Sequence, residues 1–81
     1  MLPADERRQL IEEIDKRLHQ AEDLVNQLSR RSMNNNQKGA IERIRSFARL
    51  SRQALDRGET QQAGALADRA LLLAQELGRG R

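Results

Sequence analysis

The sequence predicts an all-α fold of three helices running up, down and up, with a long first helix. Three observations carry this reading. The apolar set holds 12 Leu, 10 Ala and 4 Ile, against one Val, one Phe and no Trp or Tyr. Leu and Ala are strong helix formers, whereas strands favour the β-branched and aromatic residues that are scarce here. The apolar residues recur at helical spacing. Residues that start and stop helices stand where the periodic runs begin and end.

Helix 1 is expected over about residues 4–31. Pro3 suits a first helical position, where its missing N–H costs nothing, and Asp5 and Glu6 then fall in the first turn, where negative charge meets the positive end of the helix dipole. Ile11, Ile14, Leu18, Ala21, Val25 and Leu28 follow a 3-4-3-4-3 spacing, and Leu10 and Leu24 widen the stripe. Residues 32–36 break the pattern, and the three consecutive asparagines there accept turn conformations and can cap a following helix. Helix 2, about residues 36–57, carries Ile41, Ile44, Ala48, Ser51 and Leu55, with Phe47 and Ala54 alongside; Gly58 is a natural stop. Glu59 or Thr60 can cap helix 3, about residues 60–77, whose apolar set is Ala63, Leu66, Ala67, Ala70, Leu71, Leu73, Ala74 and Leu77. Gly78 and Gly80 end the order. Links this short make sequential helices antiparallel neighbours. At 1.5 Å per residue helix 1 is roughly 42 Å long and its partners roughly 30 Å, so it overhangs them.

Phe47, Leu50-Ser51, Ala54, Gly58, Ala63, Ala67 and Ala70-Leu71 follow an order in which residues 44–77 resemble a single tetratricopeptide repeat, a helical hairpin. Ala54 and Gln75 stand where such repeats usually carry a large aromatic and a Pro. The resemblance implies that Ala63, Ala67 and Ala70 form a small-residue ridge receiving Phe47, Leu50 and Leu55. It also implies that helix 1 or a second subunit serves as stacking partner, since one repeat does not bury a continuous core.

Eighty-one residues make one domain, spanning 1–81, and a chain this short depends on good helix packing or oligomerisation for stability. With no Cys and one His, neither a disulfide nor structural zinc is expected. No segment is apolar over a membrane-spanning length, and the start lacks the basic and apolar runs of a secretion signal, so a cytoplasmic location is expected. An interfacial membrane role is disfavoured because helix 1 has no aromatic anchor and no basic face.

The net charge of +3 is unevenly spread. Residues 1–28 sum to −3 and residues 29–57 to +6, while residues 58–81 balance. On helix 2, Arg45, Arg49 and Arg52 share one face at i, i+4, i+7 spacing, and Arg30, Arg31 and Lys38 cluster at the Asn-rich turn. These six are the candidate nucleic-acid contacts, an arginine stripe spaced to meet phosphates. The preferred reading pairs them with acids of helix 1, where antiparallel packing would bring Glu12, Glu13 and Asp15 alongside, or with acids across a dimer interface. The aromatic interleaving that stacks bases is missing.

Catalysis has few groups to draw on. Asp15, His19 and Asp23 sit at i, i+4, i+8 on one helix face, a spacing that suits a metal but more often a solvated polar face. Glu12 and Glu13 are adjacent and point about 100° apart, a poor acid–base pair. Ser29, Ser32, Ser46 and Ser51 lack His and carboxylate partners by spacing, and the glycines make no phosphate loop. Gly39, Gly58 and Gly78 read as helix-end residues, and Gly64 either permits close helix approach or costs about 1 kcal/mol against Ala. The expectation is therefore a non-catalytic, cofactor-free interaction module. Its partner would be a protein, a second copy or a foreign helix or peptide, engaged through Leu10, Ile14, Leu18 and Leu24 on helix 1 and Leu66, Leu72 and Leu73 on helix 3. Leu71, Leu72 and Leu73 span about 200°, more than one neighbouring helix covers.

Overall fold

The computed structural model describes residues 3–79 and consists of three α-helices: α1 (Ala4–Ser29), α2 (Asn35–Asp56) and α3 (Thr60–Gly78). They lie along one axis in a body of 45 × 17 × 16 Å. The expected stop at Gly80 lies outside the described residues.

Local chemistry sets each end. Pro3 is the residue just before α1 rather than its first helical position; its extended backbone (φ −55°, ψ 153°) hands its carbonyl to the Arg7 N–H at 3.0 Å. α1 stops at Ser29, two residues short of the expected end. There the Ser29 hydroxyl bonds the Val25 carbonyl (2.7 Å), and the Arg30 and Arg31 N–H groups turn back onto Gln27 and Leu28. Asn34 caps α2 reciprocally: its side chain accepts from the Gln37 N–H (2.8 Å), and the Gln37 side chain accepts from the Asn34 N–H (3.0 Å). Gly58 closes α2 in a left-handed conformation (φ 79°), with the Glu59 N–H on the Ala54 carbonyl (2.8 Å) and the Gly58 N–H on the Leu55 carbonyl (3.0 Å). Glu59 then stands at the start of α3, but its carboxylate takes a hydrogen bond from Arg57 (2.8 Å) and leaves the cap without a side-chain bond. Gly39 is not a helix-end residue after all: it lies in the second turn of α2, which begins at Asn35.

The core is built around the alanines of α3. Ala63, Ala67, Ala70 and Ala74 are all fully buried. So small a ridge lets two helices approach it closely. α1 lays Ile14, Leu18, Ala21 and Val25 against it, and α2 lays Ile41, Ile44, Ala48, Ser51 and Ala54. Two apolar clusters result. One, near the α2–α3 turn, joins Ile14 and Leu18 with Ala48, Ala54, Ala63 and Ala67. The other, near the α1–α2 turn, joins Ala21 and Val25 with Ile41, Ile44, Ala70 and Ala74. Ser51, the one buried polar residue among the described residues, donates its hydroxyl hydrogen bond to the Ala63 carbonyl at 2.7 Å and so ties α2 to the first turn of α3. Phe47 and Leu55 pack against these clusters, but Leu50 does not. It lies one residue before Ser51, about 100° round the helix from it, and stays 41% exposed.

Sequential order and spatial order differ. α3 is the central helix, packed by both others, whereas α1 and α2 meet only over a short stretch. The alanine ridge draws each of them to α3 rather than to each other, and a seam opens between them.

Candidate functional site

The seam between α1 and α2 forms a concavity on the surface, a trough of about 640 Å³. Val25, Ile44 and Ala48 form its floor. His19, Glu22, Asp23 and Asn26 of α1 form one wall, and Arg45, Arg49, Arg52, Gln53 and Asp56 of α2 form the other. Helical periodicity sets both walls, because residues 19, 22, 23 and 26 follow one edge of α1 while 45, 49, 52 and 56 follow the facing edge of α2.

One ion pair spans the trough. Arg52 donates two hydrogen bonds to the Glu22 carboxylate, at 2.7 and 2.9 Å, the planar fork that guanidinium and carboxylate form best. The bonds from Arg52 hold the Glu22 carboxyl below its usual range, against a lesser opposing push from burial, and Glu22 raises the Arg52 pKa in return. Both side chains are about 40% exposed, so the pair fixes geometry more than it adds stability. The His19 ring lies 2.8 Å from the Asp15 carbonyl oxygen and 3.5 Å from its carboxylate, which turns Asp15 along α1. Arg49 reaches only the Ser46 hydroxyl, at 3.5 Å. Among the described residues neither Arg45 nor Arg49 has a carboxylate within ion-pair distance.

The arginine stripe read from the sequence is thus brought together on one wall, and Arg30, Arg31 and Lys38 stand exposed at the α1–α2 turn, outside the trough. Its acidic partner is not the expected one. Glu22 faces Arg52, whereas Glu12 and Glu13 lie on an outer surface of α1 beside Gln9 and Lys16. The expected pairing assumed that α2 packs along α1; α3 holds them apart, and only a long arginine side chain bridges the gap. Asp15, His19 and Asp23 do not converge, and among the described residues no group of three or more acidic or histidine side chains is placed to hold a metal ion. Among the same residues no helix is long and apolar enough to cross a membrane.

The apolar candidates divide. Ile14 and Leu18 are fully buried against α3 and present no surface to a second chain while the three helices stay packed. Leu10, Leu24, Leu66 and Leu73 are half-buried at the edges of the core. Leu72 is 54% exposed on the outer side of α3, as the width of the leucine run requires. Compared with known proteins, the chain matches no family model, no curated protein and no solved structure. None of these comparisons shows the expected likeness of residues 44–77 to a tetratricopeptide repeat.

Sequence reasoning missed Glu22, Asn26, Gln53 and Asp56. A signal for Glu22 existed in the unequal apolar residues: a helix whose core positions are all alanine is the one two neighbours can share, and the edges those neighbours leave uncovered face each other.

Proposed function

We propose that this chain is a non-catalytic helical protein–protein interaction module that associates with itself through the surface its three helices leave uncovered. The observation that carries the reading is the α1–α2 seam. It is a polar-rimmed trough running along two helices above the buried Val25, Ile44 and Ala48, a face that α3 does not cover. Exposed Leu72, Leu50 and Ile11 add apolar area outside it. The seam favours protein over nucleic acid as partner. The arginines look across at Glu22 and Asp23, whose charge repels phosphate, and Arg52 is already held by Glu22.

Sedimentation equilibrium tests the proposal. From about 5 to about 500 µM, a range that covers weak specific association, the mean mass should rise above that of one chain. Amide resonances of seam residues should shift with concentration over the same range. A constant monomer mass with unchanging spectra would overturn the reading.

A further inference from the structure

The two walls of the seam differ in charge, and that difference selects a geometry. We infer that a second copy of this chain docks seam to seam, with α1 of each protomer lying on α2 of the other. The inference rests on the interaction-module reading above and names its partner and its symmetry.

Two copies stacked face to face by a two-fold axis have two choices for its direction in the plane between them. If the axis runs across the helices, α1 lies on α1 and α2 on α2. Asp23 then meets the partner's acidic wall, and Arg45 and Arg49 meet the partner's arginines. If the axis runs along the helices, each acidic wall meets a basic one. Asp23 of one protomer comes level with the turn of the other's α2 that carries Arg49, a guanidinium with no carboxylate partner among the described residues. His19 comes level with the far end of the opposite wall, which carries Asp56. Only the second arrangement satisfies these groups. Both arrangements make every contact among the four seam helices antiparallel, with each α3 on the outside, so the charges alone choose between them.

Outside the Glu22–Arg52 pair, α1 brings Asp23 to the seam and α2 brings Arg45 and Arg49, with Asp56 at the far end, so α1 laid on the partner's α2 sets opposite signs together there. Val25, Ile44 and Ala48 are already buried beneath the seam, so the apolar part of the contact comes from the methylene stems of the arginines.

A charge-swap experiment tests this arrangement. Asp23→Arg alone places arginine against arginine at both symmetric contacts, and Arg49→Asp alone places aspartate against aspartate. Each single variant should dimerise about tenfold or more weakly than the wild type. Mixed in equal amounts, the two variants should form a heterodimer, because both contacts in it are again Asp–Arg. The double variant D23R/R49D should recover the homodimer. Circular dichroism of each single variant should match the wild type, since both positions are exposed. If the wild type dimerises but the single variants dimerise equally well, or their mixture gains nothing, the seam-to-seam dimer is overturned while self-association through another face stands. If the wild type is monomeric throughout, the dimer and the module reading both fall.

Discussion

The single most informative side-chain pair is Glu22 with Arg52. Because Arg52 holds the Glu22 carboxyl below its ordinary range, the pair contributes stability above the unfolded-chain value of about 4.3. That contribution is lost as the pH falls through the lowered folded value. With both groups about 40% exposed the gain is modest, under ~1 kcal/mol. Glu22→Gln should therefore melt a few degrees below the wild type at neutral pH and coincide with it at about pH 2.5. An equal deficit at both pH values would mean that the loss comes from packing rather than from charge. The pair also marks a limit of sequence reading at this scale. Arg45, Arg49 and Arg52 were legible as a stripe because their spacing is a property of one helix. Glu22 was not, since which acid meets Arg52 depends on how far apart α3 holds α1 and α2.

At the scale of the element, the helices were legible because propensity, periodicity and end signals agreed at each of them. The Asn34–Gln37 cap and the left-handed Gly58 are the local chemistry that residue types alone announce. Gly64 was ambiguous, since one sequence does not say whether a helical glycine admits a neighbour or merely weakens the helix. The structure decides it: a β-carbon at Gly64 would stand 3.6 Å from the Ile14 Cδ1, an ordinary van der Waals contact. Gly64→Ala should stabilise the protein, by up to about 1 kcal/mol. Gly58→Ala should do the reverse and cost about 1–2 kcal/mol, because its backbone is left-handed and its new β-carbon would meet the Arg7 guanidinium at 3.2 Å. Urea unfolding of the two variants beside the wild type reads both signs in one series. If Gly64→Ala proved destabilising, the α1–α3 approach at Ile14 would have to be tighter than 3.6 Å implies.

At the scale of the whole molecule the question is which helix the others need. Three amphipathic helices with short links allow any of them to be central, and although the leucine run at 71–73 widens the apolar arc of α3, Leu72 stays exposed and does not serve the packing. Side-chain size chooses. α3 offers Ala63, Ala67, Ala70 and Ala74, so both neighbours press onto it, and its alanines are covered only when both are present. This bears on the hairpin of α2 and α3. Removing α1 takes away Ile14, Leu18 and Val25, each worth about 1.5–3 kcal/mol by burial. The loss is comparable with the whole stability of a small domain, about 5–15 kcal/mol. A fragment of residues 34–79 should therefore lack a cooperative thermal transition, although it retains the α2 cap, the Gly58 turn and the Ser51–Ala63 hydrogen bond. Adding a peptide of residues 3–31 should restore helicity and a cooperative melt, with a midpoint that rises with peptide concentration. A fragment that melts cooperatively near the temperature of the full chain would show instead that α2 and α3 are a self-sufficient hairpin. α1 would then be an appendage on a finished core, free to leave α3 and cover another chain.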